Sequence, residues 1–326
     1  ALCAAILGAA PLLIYNVHRH WLTLGNAAWS AEGFTGKAGL LQEGLAGAGL
    51  YASIARDDDE TPGRPPAGPV EETVVRLDSS SGAPRTSLFW VGCLVTLALL
   101  PVACRYPEAR TAAVFALVTF LVSWLMMAFT KGAGASTHHA VLLWPMPHLA
   151  VATVFSAAGR RFGLAGKLIL GIFASAIAVS SLLVTNHYYA MQIRNGGTSP
   201  WTEAFYPLSS ALAKMQVNQV CLADWGFADN LRLMHQGRLP LAGAALEDTE
   251  EARAYLRRQI HDPNNVFVTH TEGNRIFPRN TEMLLAFARK EGLMGTDVKL
   301  FHDRNGRAVI EIFRFVPAPG KKSTAP

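Results

Sequence analysis

The residues best suited to chemistry gather in one stretch, GASTHHAVLLWPMPH, between Gly134 and His148. His138 and His139 are adjacent there, and Lys131 precedes them by a few residues. Two imidazoles beside an ammonium can hold a phosphate through charge-assisted hydrogen bonds. Ionisable groups at the mouth of an apolar helix are functional candidates, because water no longer solvates them freely. The plainer alternative is a pair of interfacial histidines that bind nothing. Pro145 and Pro147 follow and predict a helix break whose freed backbone groups must find partners. A second set lies in ADWGFADNLRLMHQG, where Asp224 ends a predicted strand, a place where α/β folds often put functional groups. Asp229 opens a helix five residues later, so a strand-end turn with a helix cap is the favoured reading. His187 and Arg194 flank the last apolar segment, ahead of NGGTSPW, and either line a cleft or form a polar hinge. His270 and Glu272 in THTEGN make a weak acid–base pair or an ordinary loop. The run Asp57, Asp58, Asp59, Glu60 could attract a divalent cation, although a solvated charge run suits its Pro-rich surroundings better. No metal ligand set is assigned.

The elements that position these residues follow from composition. Half of the 326 residues are hydrophobic and 16% are charged, against about 25% charged in soluble domains. Mean hydropathy is +0.21. These values exclude a disordered chain and point to one partly within a membrane. The formal net charge is +5. The basic residues sit beside apolar runs, so the charge is read as membrane flanks and no nucleic-acid partner is expected. Four cysteines without a CxxC pair predict neither a disulfide framework nor a thiolate zinc site. The chain starts ALCAAILGAA, without Met and inside an apolar run, and is read as a piece of a longer protein. A signal peptide would carry its basic flank before the apolar core, whereas His18, Arg19 and His20 come after it.

Five apolar segments are expected to span a membrane, over 1–17, 88–104, 111–130, 138–158 and 168–187. Arg160, Arg161 and Lys167 lie between the last two, and Arg105 and Arg110 between the second and third. The positive-inside tendency places those loops in the cytoplasm. Lys131, the histidine pair, the 18–87 loop and the C-terminal region then face outward. Within that loop, 36–55 is expected as an amphipathic helix and 57–86 as a flexible linker.

Charges become frequent after residue 187. Helices are expected over 207–217, 227–236, 249–261 and 281–291, with strands over 218–223, 265–270, 298–302 and 308–315. DRNGR between the last two signals a hairpin. The predicted fold is mainly α: a polytopic transmembrane bundle over 1–187, followed by a small extracytoplasmic α/β domain over 188–326. It contains no GxGxxG and no Walker loop, so no nucleotide site is expected.

APLLIYN closing a span before a long outer loop, the HH…LLWP span, and DWG…L…G after the last helix resemble bacterial membrane glycosyltransferases of the GT-C class, in particular the protein O-mannosyltransferase and aminoarabinose-transferase-like group. The resemblance covers most of the chain through loose motifs. It implies a multi-pass bacterial inner-membrane enzyme that moves a sugar from a polyprenyl-phosphate donor to an acceptor on the periplasmic side, with a divalent cation possible. In that group a catalytic acid stands in the first outer loop, which is expected upstream of Ala1, so no catalytic residue is transferred here and this piece alone is expected to be inactive. Only His138 and His139 match a family position, as candidates for the donor phosphate. Two other readings remain: a non-catalytic membrane protein with an outer binding domain, and a transporter, although no internal repeat is visible.

Overall fold

A computed structural model describes residues 10–11, 14–18, 30–31, 33–49, 51–57, 63–131, 137–244 and 249–319, with His138 described by its backbone only. The chain divides into two compact units. One comprises Ala1–Ser53 and Pro69–Ala190, the other Ile54–Gly68 and Met191–Pro326.

The first unit is helical. Its described elements are α1 (Phe34–Leu45), α2 (Pro69–Ser81), α3 (Phe89–Ala103), α4 (Pro107–Ala128), α5 (Pro145–Arg161) and α6 (Gly163–Asn195), the last continuing into the second unit. Among the described residues three helices are long and apolar enough to cross a membrane: Pro107–Ala128, Val141–Arg161 and Gly163–Asn195. Their ends are set by simple chemistry. Pro107 and Pro145 open α4 and α5, where a missing N–H costs nothing, and Arg160 and Arg161 close α5 against its negative dipole end. Pro145 thus starts a helix after a short 3-10 turn, Val141–Leu143.

Three expectations change here. Segment 88–104 folds as α3, whose 15 residues reach about 22 Å, short of a hydrocarbon core of about 30 Å. Segment 1–17 lies mostly outside the described residues. The 36–55 helix divides into α1 and a separate turn, Tyr51–Ile54, with Gly47 and Gly49 at positive φ between them. The 57–86 stretch is not a linker throughout, because 69–81 forms α2. Pro69 opens that helix and Glu71 and Glu72 occupy its first turn, both favourable to a helix start.

The second unit is a three-layer α/β fold. It contains α7 (Phe205–Leu212), β1 (Val220–Leu222), α8 (Phe227–Met234), β2 (Leu241–Gly243), α9 (Glu250–His261), β3 (Val266–His270), α10 (Pro278–Lys290), β4 (Leu293–His302) and β5 (Ala308–Pro317). Strand order is β2-β1-β3-β5-β4. β1 runs parallel to β2 and β3, and β5 is antiparallel to β3 and β4. Strand alternation sends Val266 and Val268 to one face with Leu208, Leu212, Phe227 and Leu231. Phe267 points to the other face, with Leu256, Ile260 and Leu284. Hence α7 and α8 cover one side and α9 and α10 the other. Thr249 caps α9, its hydroxyl accepting from the Ala252 amide at 3.2 Å. Residues 54–57 and 63–68, expected within the membrane half, belong to this unit. The Thr198 amide donates to the Ile54 carbonyl at 2.8 Å, and Arg56 Nη1 donates to Asn274 Oδ1 at 2.8 Å.

Candidate functional site

The strand order creates a specific crevice. After β1 the chain turns to α8 on one face, and after β3 it turns to α10 on the other. β1 and β3 are adjacent and parallel. Their carboxyl ends therefore diverge at a switch point, where open α/β sheets usually bind ligands. Asp224 lies just past β1, and His270 ends β3.

In this protein the crevice is filled by its own side chains. His270 Nδ1 donates to Asp224 Oδ2 at 2.7 Å, and both side chains are fully buried. The same carboxylate accepts the amides of Trp225 at 2.8 Å, Ile276 at 2.9 Å and Phe277 at 2.9 Å. Burial opposes the charge, but the His270 bond and the three amides outweigh it and hold the Asp224 carboxyl below its ordinary range. Phe227 lies over the His270 ring with centroids 4.3 Å apart. Gly226 takes a φ of 96°, and a Cβ there would sit 2.9 Å from Pro200, so the turn after Asp224 requires glycine. His270 Nε2 is buried without a hydrogen-bond partner among the described residues. The residue is 0% exposed. Asp224, a cleft candidate and a strand-end turn residue by sequence, is the bracket joining two loops. What those loops present outward is apolar: Trp225, Ile276 and Phe277 are exposed.

A second buried pair lies in the helical unit. His187 Nδ1 and Asp78 Oδ1 are 2.8 Å apart, with side-chain exposures of 5% and 1%. Neighbouring Asn186 donates from Nδ2 to the Val74 carbonyl at 3.0 Å. Two consecutive residues of α6 thereby hold successive turns of α2. His187 is a helix-to-helix tie. Arg194 offers its backbone carbonyl to the Arg64 amide at 3.2 Å and to Asn305 Nδ2, so its main chain fastens the β4–β5 hairpin.

The third locus surrounds the sequence motif. Lys131 is exposed three residues past the end of α4, and His138 and His139 belong to the turn Thr137–Ala140. Residues 132–136 are outside the described set. Lys37 marks this end of the unit. Its ammonium, 5% exposed, donates to the carbonyls of Met127, Ala128 and Thr130 at 3.1, 3.1 and 2.9 Å. These are carbonyls that the end of α4 leaves unsatisfied, so Lys37 caps that helix with a positive charge. The Phe34 ring packs edge-on to Trp124, at 5.8 Å. Gly44 lies so close to Trp144 that any side chain there would collide with the indole. α1 is thus pinned across the end of α4 and the start of α5, next to the histidine turn. Sequence reading gave Lys37 no role, because its three acceptors lie some ninety residues away.

Among the described residues no group of three or more His, Cys, Asp or Glu is placed to hold a metal ion. Asp58, Asp59 and Glu60 are outside the described set. Cys221 is inert, because burial and then the Asp262 charge push its thiol up to about 12. No protein-family model matches this chain, and neither a curated protein nor a solved structure matches it.

Proposed function

We propose that the protein is an integral membrane glycosyltransferase, taking a sugar from a polyprenyl-phosphate donor and passing it to an acceptor on the outer face of a bacterial inner membrane. The observation that carries this reading is the placement of Lys131 and the His138–His139 turn at one capped end of the apolar pair α4 and α5. A lipid phosphate needs both features together: apolar helices for its tail and cations for its head. The motif's resemblance to GT-C enzymes supports the same reading. In the reaction an acceptor heteroatom attacks the anomeric carbon and the bond from that carbon to the phosphate oxygen breaks. The phosphate leaves with the electron pair, and a base takes the acceptor proton. Lys131, His138 and His139 offset the charge on the departing phosphate. The base is not assigned to any residue here.

The test is sugar transfer in membranes containing the full-length native protein, with labelled polyprenyl-phosphate sugar as donor. His138→Ala combined with His139→Ala abolishes transfer while leaving thermal unfolding unchanged. Full transfer by that variant contradicts the assignment. A non-catalytic binding role is favoured by one observation, the exposed Trp225, Ile276 and Phe277 that the Asp224 bracket presents. On that reading Trp225→Ala with Phe277→Ala removes the protein's effect in cells, and the histidine variant does not.

A further inference from the structure

A groove of about 710 Å³ runs between α5 and α6, within the helical unit. Its walls are apolar, including Phe155, Leu170 and Ile177. One end carries Arg160 and Lys167, and toward the other lies His148, stacked on Phe89 with centroids 4.1 Å apart. Arg160 and Lys167 are exposed, and neither has an ion-pair partner among the described residues. Glu108 shares a smaller hollow with Arg160, on the α4 side, whereas Lys167 borders only the main groove. The helices approach closely at the basic end, where a Cβ on Gly159 would lie 3.3 Å from Lys167 Cγ.

We propose that this groove binds one anionic phospholipid, its phosphate between Arg160 and Lys167 and one acyl chain along the walls. Two features fit that occupant. The basic pair complements a phosphate, Arg through its planar fork and Lys as a point charge. The run from Arg160 to His148 covers about 18 Å of helix, and one leaflet of the hydrocarbon core is about half of 30 Å. A chain descending from a headgroup at Arg160 therefore reaches the level of His148 near mid-membrane. The basic loop also matches the leaflet where anionic lipids concentrate. The site lies apart from Lys131 and the histidine turn and does not depend on the transferase reading.

The purified protein in a non-ionic detergent is titrated with phosphatidylglycerol or with phosphatidylcholine of identical acyl chains, and bound lipid is read by native mass spectrometry. One phosphatidylglycerol is retained with about tenfold preference, a few-fold per basic side chain. Arg160→Gln with Lys167→Gln brings the preference close to one. Ala174→Trp fills the groove with both basic residues intact and removes retention. All three positions are exposed, so the melting temperatures stay unchanged. Excess glycerol 3-phosphate leaves the lipid bound, because the tail contributes. Equal retention of the two lipids would mean annular lipid only and overturn the proposal. No retention, retention by Ala174→Trp, or displacement by glycerol 3-phosphate would each overturn it as well.

Discussion

The two units bury the same pair of groups and use it differently. In each, a histidine Nδ1 meets an aspartate at 2.7 or 2.8 Å, and in each the histidine Nε2 is buried without a hydrogen-bond partner among the described residues. In the α/β unit the carboxylate also gathers three backbone amides from two loops. A charge so surrounded is solvated by the protein itself, at the switch point between β1 and β3. In the helical unit the pair stands between two helices, beside a second polar tie from Asn186 to Val74. There it docks α2, a helix of mixed polarity, onto a long apolar one. One chemical motif thus organises loops in the first case and helix packing in the second. In both cases the histidine is tied through Nδ1 to its aspartate, within the core of its own unit.

Replacing the aspartates should separate the two roles. Asp224→Ala strips the acceptor from His270 and three amides and should cost about 3–5 kcal/mol, as breaking buried pairs does. A thermal melt of the α/β unit should show it as the larger loss. Asp78→Ala leaves His187 Nδ1 unsatisfied and should cost about 1–3 kcal/mol, read as earlier release of α2 by limited proteolysis in detergent. Equal losses at the two sites would erase the distinction. Lys37→Met provides a third comparison, because it removes a positive cap from α4 while keeping its packing. The expected cost is about 1–2 kcal/mol, measured by unfolding in denaturant.

The Asp224 bracket has a pH signature. Its carboxyl is held below the ordinary aspartate value of about 3.9. A depressed folded pKa stabilises the unit fully above the unfolded value, and that stability is lost as pH falls through the folded one. The melting difference between the protein and Asp224→Asn should therefore be constant near neutrality and shrink below about pH 4. The smallest effect is local. Cys221, its thiol pushed up to about 12, should resist alkylation at pH 8 in the native protein and react in Asp224→Ala, as mapped by peptide mass spectrometry.

Much of the α/β unit was legible in the sequence, since β1, β3, β5, the second half of β4 and four helices follow from period and caps. β2 was not, because three residues, Leu241–Gly243, carry no alternation to read. α2 was hidden by composition, as Pro, Ser and acidic residues masked a helix whose proline start and acidic first turn were nonetheless present. The pairs themselves could not be read. Asp224 and His270 are 46 residues apart and Asp78 and His187 are 109. Only the placement of β1 beside β3, or of α2 on α6, brings them together. Asp224 and His187 were recognised as candidates by residue type, but burial and partners, which decide their role, belong to the folded chain. Lys131 lies three residues past α4, and the histidine turn, expected as the start of the 138–158 span, precedes α5 as a separate turn.

The most direct test of the central claim is binding of polyprenyl phosphate to the purified protein in detergent, followed by tryptophan fluorescence. Saturable binding should be lost in His138→Ala with His139→Ala and retained in Arg160→Gln with Lys167→Gln. Unchanged binding in the histidine variant, with the fold intact, would contradict the claim that this turn holds the donor phosphate.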